Sequence, residues 1–304
     1  MGRLAGQRAL VTGASSGIGA ATAREGADVA LLARSQKGLR AVAQRVEDQG
    51  VRAFRVHADV AGRDGLERAV ARASDRLGGV DVAVVAAAAA AFGRFQEMPP
   101  DDFDRCVSVS FTGAVDTIRA VLPHLERSAG RLVVVGSASD TVALSLLSPY
   151  VAAKSALDGF VESLRAELRS EGSSVSVSLV RPGAVDSPFW RHLTHPDGVT
   201  PPELPPLVSY SPESVARAVV ACAIEPRASV TIGGLTLLLQ PLNTVARPVT
   251  ELAMAVVSRI ARTRATPDQD PSALWEPSGD GTVSGGLKGR PSVYAALRLG
   301  RWRR

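Results

Sequence analysis

Short apolar runs alternate with stretches of helical period from the start of the chain. "RALVTG" (8–13) and "DVALLAR" (28–34) are nearly continuous apolar runs of strand length, the pattern of parallel strands buried on both faces. "LRAVAQRV" then puts Leu39, Val42, Ala43 and Val46 on one helical stripe. "FRVHADV" (54–60) predicts a strand, "LERAVARASDRL" (66–77) a helix, and "VDVAVVA" (80–86) the next strand. One long helix is expected over 103–125, with Val107, Phe111, Ala114, Ile118, Val121 and Leu125 in phase. "RLVVVGS" (131–137) predicts a strand, and a helix over 150–170 carries Ala153, Leu157, Val161, Leu164 and Leu168 and stops at Gly172. "VSVSLV" (175–180) and "ASVTIGG" (228–234) predict two more strands. Between them Ser211 is placed to cap a helix that has Pro212 at its first position.

About seven strands with intervening helices specify an α/β fold with an open, doubly wound parallel sheet. Past residue 234 the pattern changes. "LTLLLQPL" and "VTELAMAVVSRIAR" read as amphipathic helices, and 264–292 is rich in Pro, Gly, Ser and Asp. The expected division is therefore a nucleotide-binding and catalytic domain over 1–234 and a C-terminal extension over 235–304, helical and then irregular with a basic tail.

Composition narrows the options. Of 304 residues, 45% are hydrophobic and 21% charged, enough for a substantial core and against global disorder. The net charge of +5 is nearly all arginine, the only lysines being Lys37, Lys154 and Lys288. These charges are scattered, with no stripe or recognisable module, so no nucleic-acid partner is expected. Cys106 and Cys222 fit neither a disulfide framework nor zinc spacing, and no metal site is expected from His192 and His195 in "HLTH". Strand-like sequence begins by Arg8, leaving no apolar signal region. The uncharged run Val230 to Ala246 is broken by Gly233, Gly234, Pro241 and Asn243 and falls short of the ~20 residues of a spanning helix. A cytoplasmic protein is expected. The amphipathic segment 247–262 and the terminal "RLGRWRR" could touch an anionic membrane, but a packed helix and a solvated tail account for them as well.

"VTGASSGIG" joins the first strand to the first helix, with Gly13, Gly17 and Gly19 spaced G-x-x-x-G-x-G. Glycines let the backbone turn tightly and approach a pyrophosphate, with Ser15, Ser16 and Ile18 between them. A carboxylate for a ribose 2′-hydroxyl would end the second strand. That strand instead ends "LLARS", and Arg34 can pair with a 2′-phosphate, which favours NADP(H), with NAD(H) as the alternative. The helix after the turn is short, and the crossover back to Asp28 closes with little slack.

"SPYVAAKSAL" sets Tyr150 and Lys154 one helical turn apart, on one face. A phenol of pKa about 10 is a poor proton carrier at neutral pH. An ammonium about 5 Å away would favour the phenolate by about 3 kcal/mol at an effective dielectric of about 20. Ser137, at the end of the fifth strand, can hydrogen-bond a substrate oxygen.

With "TGASSGIG", "ADV" at 58–60, Ser137, "YVAAK" and "RPGAVDSP" in order, residues 5–234 resemble the short-chain dehydrogenase/reductase family. The resemblance implies a Rossmann-like sheet and a nicotinamide cofactor. It implies Tyr150 as general acid/base, Lys154 as its partner on the nicotinamide ribose, and Ser137 on the substrate carbonyl. Asp59 and Val60 would flank the adenine, and Pro182, Gly183, Val185 and Ser187 would line the nicotinamide. A homodimer or homotetramer, assembled through the two long helices, is a further implication. The family's N-N-A-G at the end of the fourth strand is matched here by Val85, Ala86, Ala87 and Ala88, so the run Ala86 to Ala91 is a strand end and cofactor floor stripped of its amides. The helix-four Asn that supports a water relay is matched by Ser110, the Asn near the catalytic strand end by Val134, and the first Ser of the usual pair by Gly136.

Two functions follow. One is an NADP(H)-dependent oxidoreductase interconverting a secondary alcohol and a ketone or aldehyde, with a small-molecule substrate. The other is a catalytically impaired nucleotide-binding or regulatory protein on the same fold. The loop between Ser187 and Ser211, apolar and proline-rich, is expected to cover the substrate.

Overall fold

The computed structural model describes residues 2–194, 209–234, 242–261 and 271–286. The predicted strands form at Arg8–Thr12 (β1), Asp28–Ala33 (β2), Ala53–His57 (β3), Val82–Val85 (β4), Arg131–Val135 (β5), Ser176–Pro182 (β6) and Ser229–Ile232 (β7). They build one parallel sheet in the order β3-β2-β1-β4-β5-β6-β7. Most strands end before their apolar run does, whereas β6 extends two residues past its run to Pro182.

Strand residues alternate between two cores. Val11, Leu31, Val84 and Val133 face a core shared with the helices Gly17–Thr22 (α1), Gln36–Glu47 (α2) and Pro212–Ile224 (α7). Leu10, Leu32, Val85 and Val134 face the opposite core. That core is closed by Arg63–Leu77 (α3), Gly113–Ser128 (α5) and Ser148–Ser170 (α6). Burial on both faces is why the strands read as apolar runs rather than as alternating ones. α1 is only six residues, built of Gly, Ala, Ile and Thr, and its small side chains let it lie against α7.

One sequence expectation meets a difference. The single helix expected over 103–125 is two helices, Pro100–Val107 (α4) and α5, joined without a break by a π-helical turn at Ser108–Thr112. Gly113 follows that turn, and a Cβ there would lie 2.9 Å from the Val60 carbonyl oxygen, so the helix could not pass so close to β3's outgoing loop with a larger residue. The cap at Ser211 forms as predicted, its Oγ accepting from the Ser214 amide at 3.2 Å.

In the C-terminal region, Arg247–Ala261 is helical (α8), while 235–241 lies outside the described residues. Val245, Val249, Leu252 and Val256 are exposed along and just before α8. Segment 271–286 is irregular apart from a short 3-10 turn at Pro271–Leu274, and it returns to the sheet's carboxyl edge. Among the described residues no helix is long and apolar enough to cross a membrane.

The strand order reverses between β1 and β4, and in open parallel sheets ligands bind in the crevice beyond the carboxyl ends of the strands there. The scaffold for that crevice is the central pair of strands. Leu10 of β1 is fully buried, and Leu10→Ala is expected to destabilise the fold by about 2–5 kcal/mol, read from urea unfolding midpoints.

Candidate active site

Beyond β1 the chain turns at Gly13, whose φ is +66°. A Cβ at Gly13 would meet the carbonyl carbon and oxygen of Ala86 and the Cα of Ala87, each at 2.9 Å. The turn therefore lies directly on the alanine run that leaves β4. Gly19 is equally constrained, since a Cβ would fall 2.7 Å from the Gly13 carbonyl carbon. Gly17, with φ +54°, faces Ser187 across a slot, its Cβ position 3.4 Å from the Ser187 Cβ. These contacts explain the three glycines by backbone approach on two sides and by an open slot on the third.

The alanine run keeps its backbone satisfied without amide side chains. The amides of Ala86 and Ala87 donate to the Thr12 hydroxyl at 3.0 and 3.3 Å. The Ala89 amide donates to Ser110 Oγ at 2.9 Å, and Ser110 Oγ donates to the Ala89 carbonyl at 2.7 Å. Cys106 adds a contact to the same carbonyl at 3.2 Å, and burial pushes its thiol up to about 12. Thus Ser110 is fully buried behind the floor, with its hydroxyl committed to the floor's backbone.

A cavity of about 600 Å³ opens over this floor. The glycine turn contributes Gly13, Ser15, Ser16, Gly17, Ile18 and Gly19, and the end of β2 contributes Arg34. Asp59 and Val60 close one side, Ala86, Ala87 and Ala88 form the floor, and Pro182, Gly183, Val185 and Ser187 form the wall after β6. Ser137, Tyr150 and Lys154 stand at the far end. All the residues singled out from the sequence meet in this one cavity except Ser110, which supports its floor from behind.

At the reactive end, Ser137 ends the loop after β5 and accepts from the Ser139 amide at 3.2 Å and the Ser139 hydroxyl at 2.9 Å. Tyr150 lies in the first turn of α6, packed against the Phe189 ring with centroids 5.2 Å apart. Lys154 is buried one turn later, its Nζ donating to the Val135 carbonyl at 2.9 Å and lying 5.8 Å from the Tyr150 ring centroid. Burial pushes the Tyr150 phenol up to about 12, with a hydrogen bond from Ser137 opposing it. Burial also pulls the Lys154 ammonium down to about 8. Desolvation penalises both charged forms.

Asp59 pairs with Arg105 at 2.5 Å and accepts from the Ala61 amide at 3.0 Å. Burial works to raise its pKa, but the Arg105 and Ala61 bonds and the Arg34 charge hold it below the usual carboxylate range. Arg34 is half-buried, and burial lowers its pKa while Asp59 opposes the shift.

Sequence reasoning missed several residues of this site. Ser139 orients Ser137, and its only signal was a second serine in "GSAS". Leu144, Leu146, Phe189 and Trp190 make the reactive end apolar. Trp190 is fixed by its Nε1 donating to the Val185 carbonyl at 3.0 Å. Tyr210 also lines the cavity, its hydroxyl accepting from the Gly234 amide at 2.7 Å. Ala273, Pro277, Ser278 and Gly279 wall the Arg34 end, from a segment whose composition marked only a loop. Of the predicted substrate loop, residues 195–208 lie outside the described residues, and so does His195.

A doubly wound sheet with a glycine turn on one side of its switch point, and a Ser, Tyr and Lys cluster on the other, defines a dinucleotide-linked α/β enzyme. Residues 7–198 match the family model for short chain dehydrogenases, and the chain belongs to that family of NAD(P)-dependent oxidoreductases. It is 34% identical over 237 residues to the uncharacterized oxidoreductase YxnA of Bacillus subtilis, covering 76% of this chain and 66% of that protein. Two solved structures superpose on 76% of the chain, each at 29% identity. One is an alcohol dehydrogenase from Thermococcus sibiricus complexed with 5-hydroxy-NADP, with a TM-score of 0.66 and 97% of that chain covered. The other is a Burkholderia cenocepacia short chain dehydrogenase in complex with NADP, with a TM-score of 0.65 and 98% covered.

The residues present fit an extended dinucleotide. Gly17 keeps the slot toward Ser187 free of a side chain, Arg34 and Asp59 stand at one end, and Lys154 and Tyr150 stand at the other. The floor beneath it rests on Thr12. Thr12→Val leaves the Ala86 and Ala87 amides unpaired and is expected to lower stability by about 1–3 kcal/mol, while Thr12→Ser does not, as read by chemical unfolding.

Proposed function

We propose that this chain is an oxidoreductase that uses a nicotinamide cofactor to interconvert a secondary alcohol and a ketone or aldehyde. The observation that carries this reading is the meeting of Ser137, Tyr150 and Lys154 at the apolar end of the cavity that the glycine turn opens. The relatives complexed with NADP and 5-hydroxy-NADP support the cofactor class. When bound, the cofactor supplies or accepts a hydride at its nicotinamide ring.

The protein's own groups handle the oxygen and its proton. Ser137 Oγ, held by Ser139 and beside the Tyr150 hydroxyl, is placed to hydrogen-bond the substrate oxygen and fix its position. Tyr150, with a phenol near 12, is protonated at neutral pH and so is the donor when a carbonyl is reduced. Lys154, near 8, is charged below that value and favours the phenolate that forms when the proton leaves. Phe189 and Trp190 exclude water from the reacting carbonyl, which strengthens these interactions.

Tyr150→Phe is expected to lower kcat for carbonyl reduction by about 10²–10⁴-fold, with cofactor binding retained, in single-turnover assays with an aryl ketone. The pH dependence follows from the lowered Lys154. Its charge is present below about pH 8 and lost above it, so the reductive rate at saturating cofactor falls as pH rises through that value. The residual rate of Lys154→Met lacks this limb.

A second reading, a cofactor-binding protein with little turnover, is favoured by one observation. Ser110, where the family carries an Asn, spends its hydroxyl on both backbone groups of Ala89. Saturable cofactor binding with no turnover over a broad carbonyl panel is the result that selects it.

A further inference from the structure

Arg34 stands at the end of β2, where a dinucleotide's adenosine ribose is read. Its guanidinium is already engaged. One terminal nitrogen donates to the carbonyls of Leu274 and Trp275 at 3.1 and 2.8 Å. The other donates to those of Ala273 and Glu276 at 2.9 and 3.3 Å. The four terminal N–H groups thus meet four consecutive carbonyls of the chain's own C-terminal region. A 2′-phosphate would need the same N–H groups, because its bidentate pairing with arginine uses two parallel N–H donors.

The segment that provides these carbonyls is docked along its length. Leu274 is fully buried in a small core with Ala91, Met98 and Leu193. Trp275 donates from Nε1 to Asp102 at 2.7 Å and lies under the Arg105 guanidinium. Further on, the Gly279 carbonyl accepts from Ser35 Oγ and the Gly281 carbonyl from Arg45. The Gly281 amide donates to the Ser15 carbonyl at 2.9 Å, and the Gly17 amide donates to the Thr282 carbonyl at 3.0 Å. Ser284 Oγ donates to Asp186 at 2.9 Å. The glycines are required. A Cβ at Gly279 would lie 2.9 Å from Ser15 Cβ, and one at Gly281, where φ is +89°, would lie 2.6 Å from Ala41 Cβ.

We propose that segment 273–282 is a built-in competitor for the 2′-phosphate of NADP(H), so that its docking on Arg34 and the glycine turn sets the cofactor preference of this chain. This rests on the cavity being a dinucleotide site. With the segment docked, a cofactor bearing a 2′-phosphate must displace neutral carbonyls from Arg34 and detach the Leu274 anchor. A cofactor bearing a 2′-hydroxyl has no call on that guanidinium. With the segment released, both cofactors regain the Gly17 amide, but only the phosphorylated one gains Arg34. The preference read from the sequence for NADP(H) is therefore a property of the released state.

The test uses the full chain and two variants that loosen the segment from opposite ends, Gly281→Val at the glycine turn and Leu274→Ala at the core anchor. Binding of NADPH and NADH is measured by cofactor fluorescence, with circular dichroism as the check on folding. The expected result is a rise of about tenfold or more in the ratio of NADH Kd to NADPH Kd, lost again when Arg34→Gln is added to either variant. Hydrogen exchange should show the Gly281 amide losing more protection when NADPH binds to the unaltered chain than when NADH binds. An unchanged ratio, or equal weakening of both cofactors, overturns the proposal and makes the segment a wall of the site. If NADH fails to bind the unaltered chain and the variants alike, the dinucleotide reading itself falls, and the proposal falls with it.

Discussion

Where β1 and β4 end side by side, the Thr12 hydroxyl accepts from the amides of Ala86 and Ala87, and the Gly13 backbone lies against them with no room for a Cβ. The rest of the site takes its position from this junction. It fixes the glycine turn relative to the floor, and the floor is fixed in turn to the π-helical turn through Ser110 and Ala89. From there α5 continues past Val60, so the loop after β3 is registered to the same frame. A chain of backbone contacts thus runs from the centre of the sheet to both ends of the cavity. A side chain at Gly13 would push the two strands apart at the point where the fold needs them closest.

The reactive end is governed by desolvation. Burial in the apolar pocket pushes the Tyr150 phenol up and the Lys154 ammonium down, each toward its neutral form. The useful consequence is a division of labour at neutral pH. In the proposed reaction, the phenol would carry the transferable proton and the ammonium would supply charge close to where the negative oxygen develops. Phe189 and Trp190 come from the segment after β6, so the wall that dries the pocket is also the wall that borders the nicotinamide end.

Much of this was legible in the sequence, and particular residues show why. The strands were readable because both faces are buried, the cap at Ser211 because its chemistry is local, and the glycine turn and the Tyr150 and Lys154 pair because their spacing is diagnostic. The π-helical turn was invisible because one extra residue barely disturbs a helical stripe, and Val107, Phe111 and Ala114 read in phase across it. Ser110 was read as a support for a water relay, whereas its hydroxyl binds backbone that no pattern exposes. The partners of Arg34 were hidden for a related reason. They are carbonyl oxygens, which every residue owns, so nothing in "ALWE" distinguishes a guanidinium cradle from a loop.

A cradle made of the molecule's own main chain has a consequence that a soluble inhibitor would lack. A tethered segment is present at an effective concentration fixed by its connection to the fold, so dilution does not remove it and no cellular supply controls it. Its strength resides in small features such as the glycines at 279 and 281 and the burial of one leucine. Under the proposed competition, cofactor choice would drift through residues nearly 250 positions away from Arg34, without any change in the binding motifs themselves.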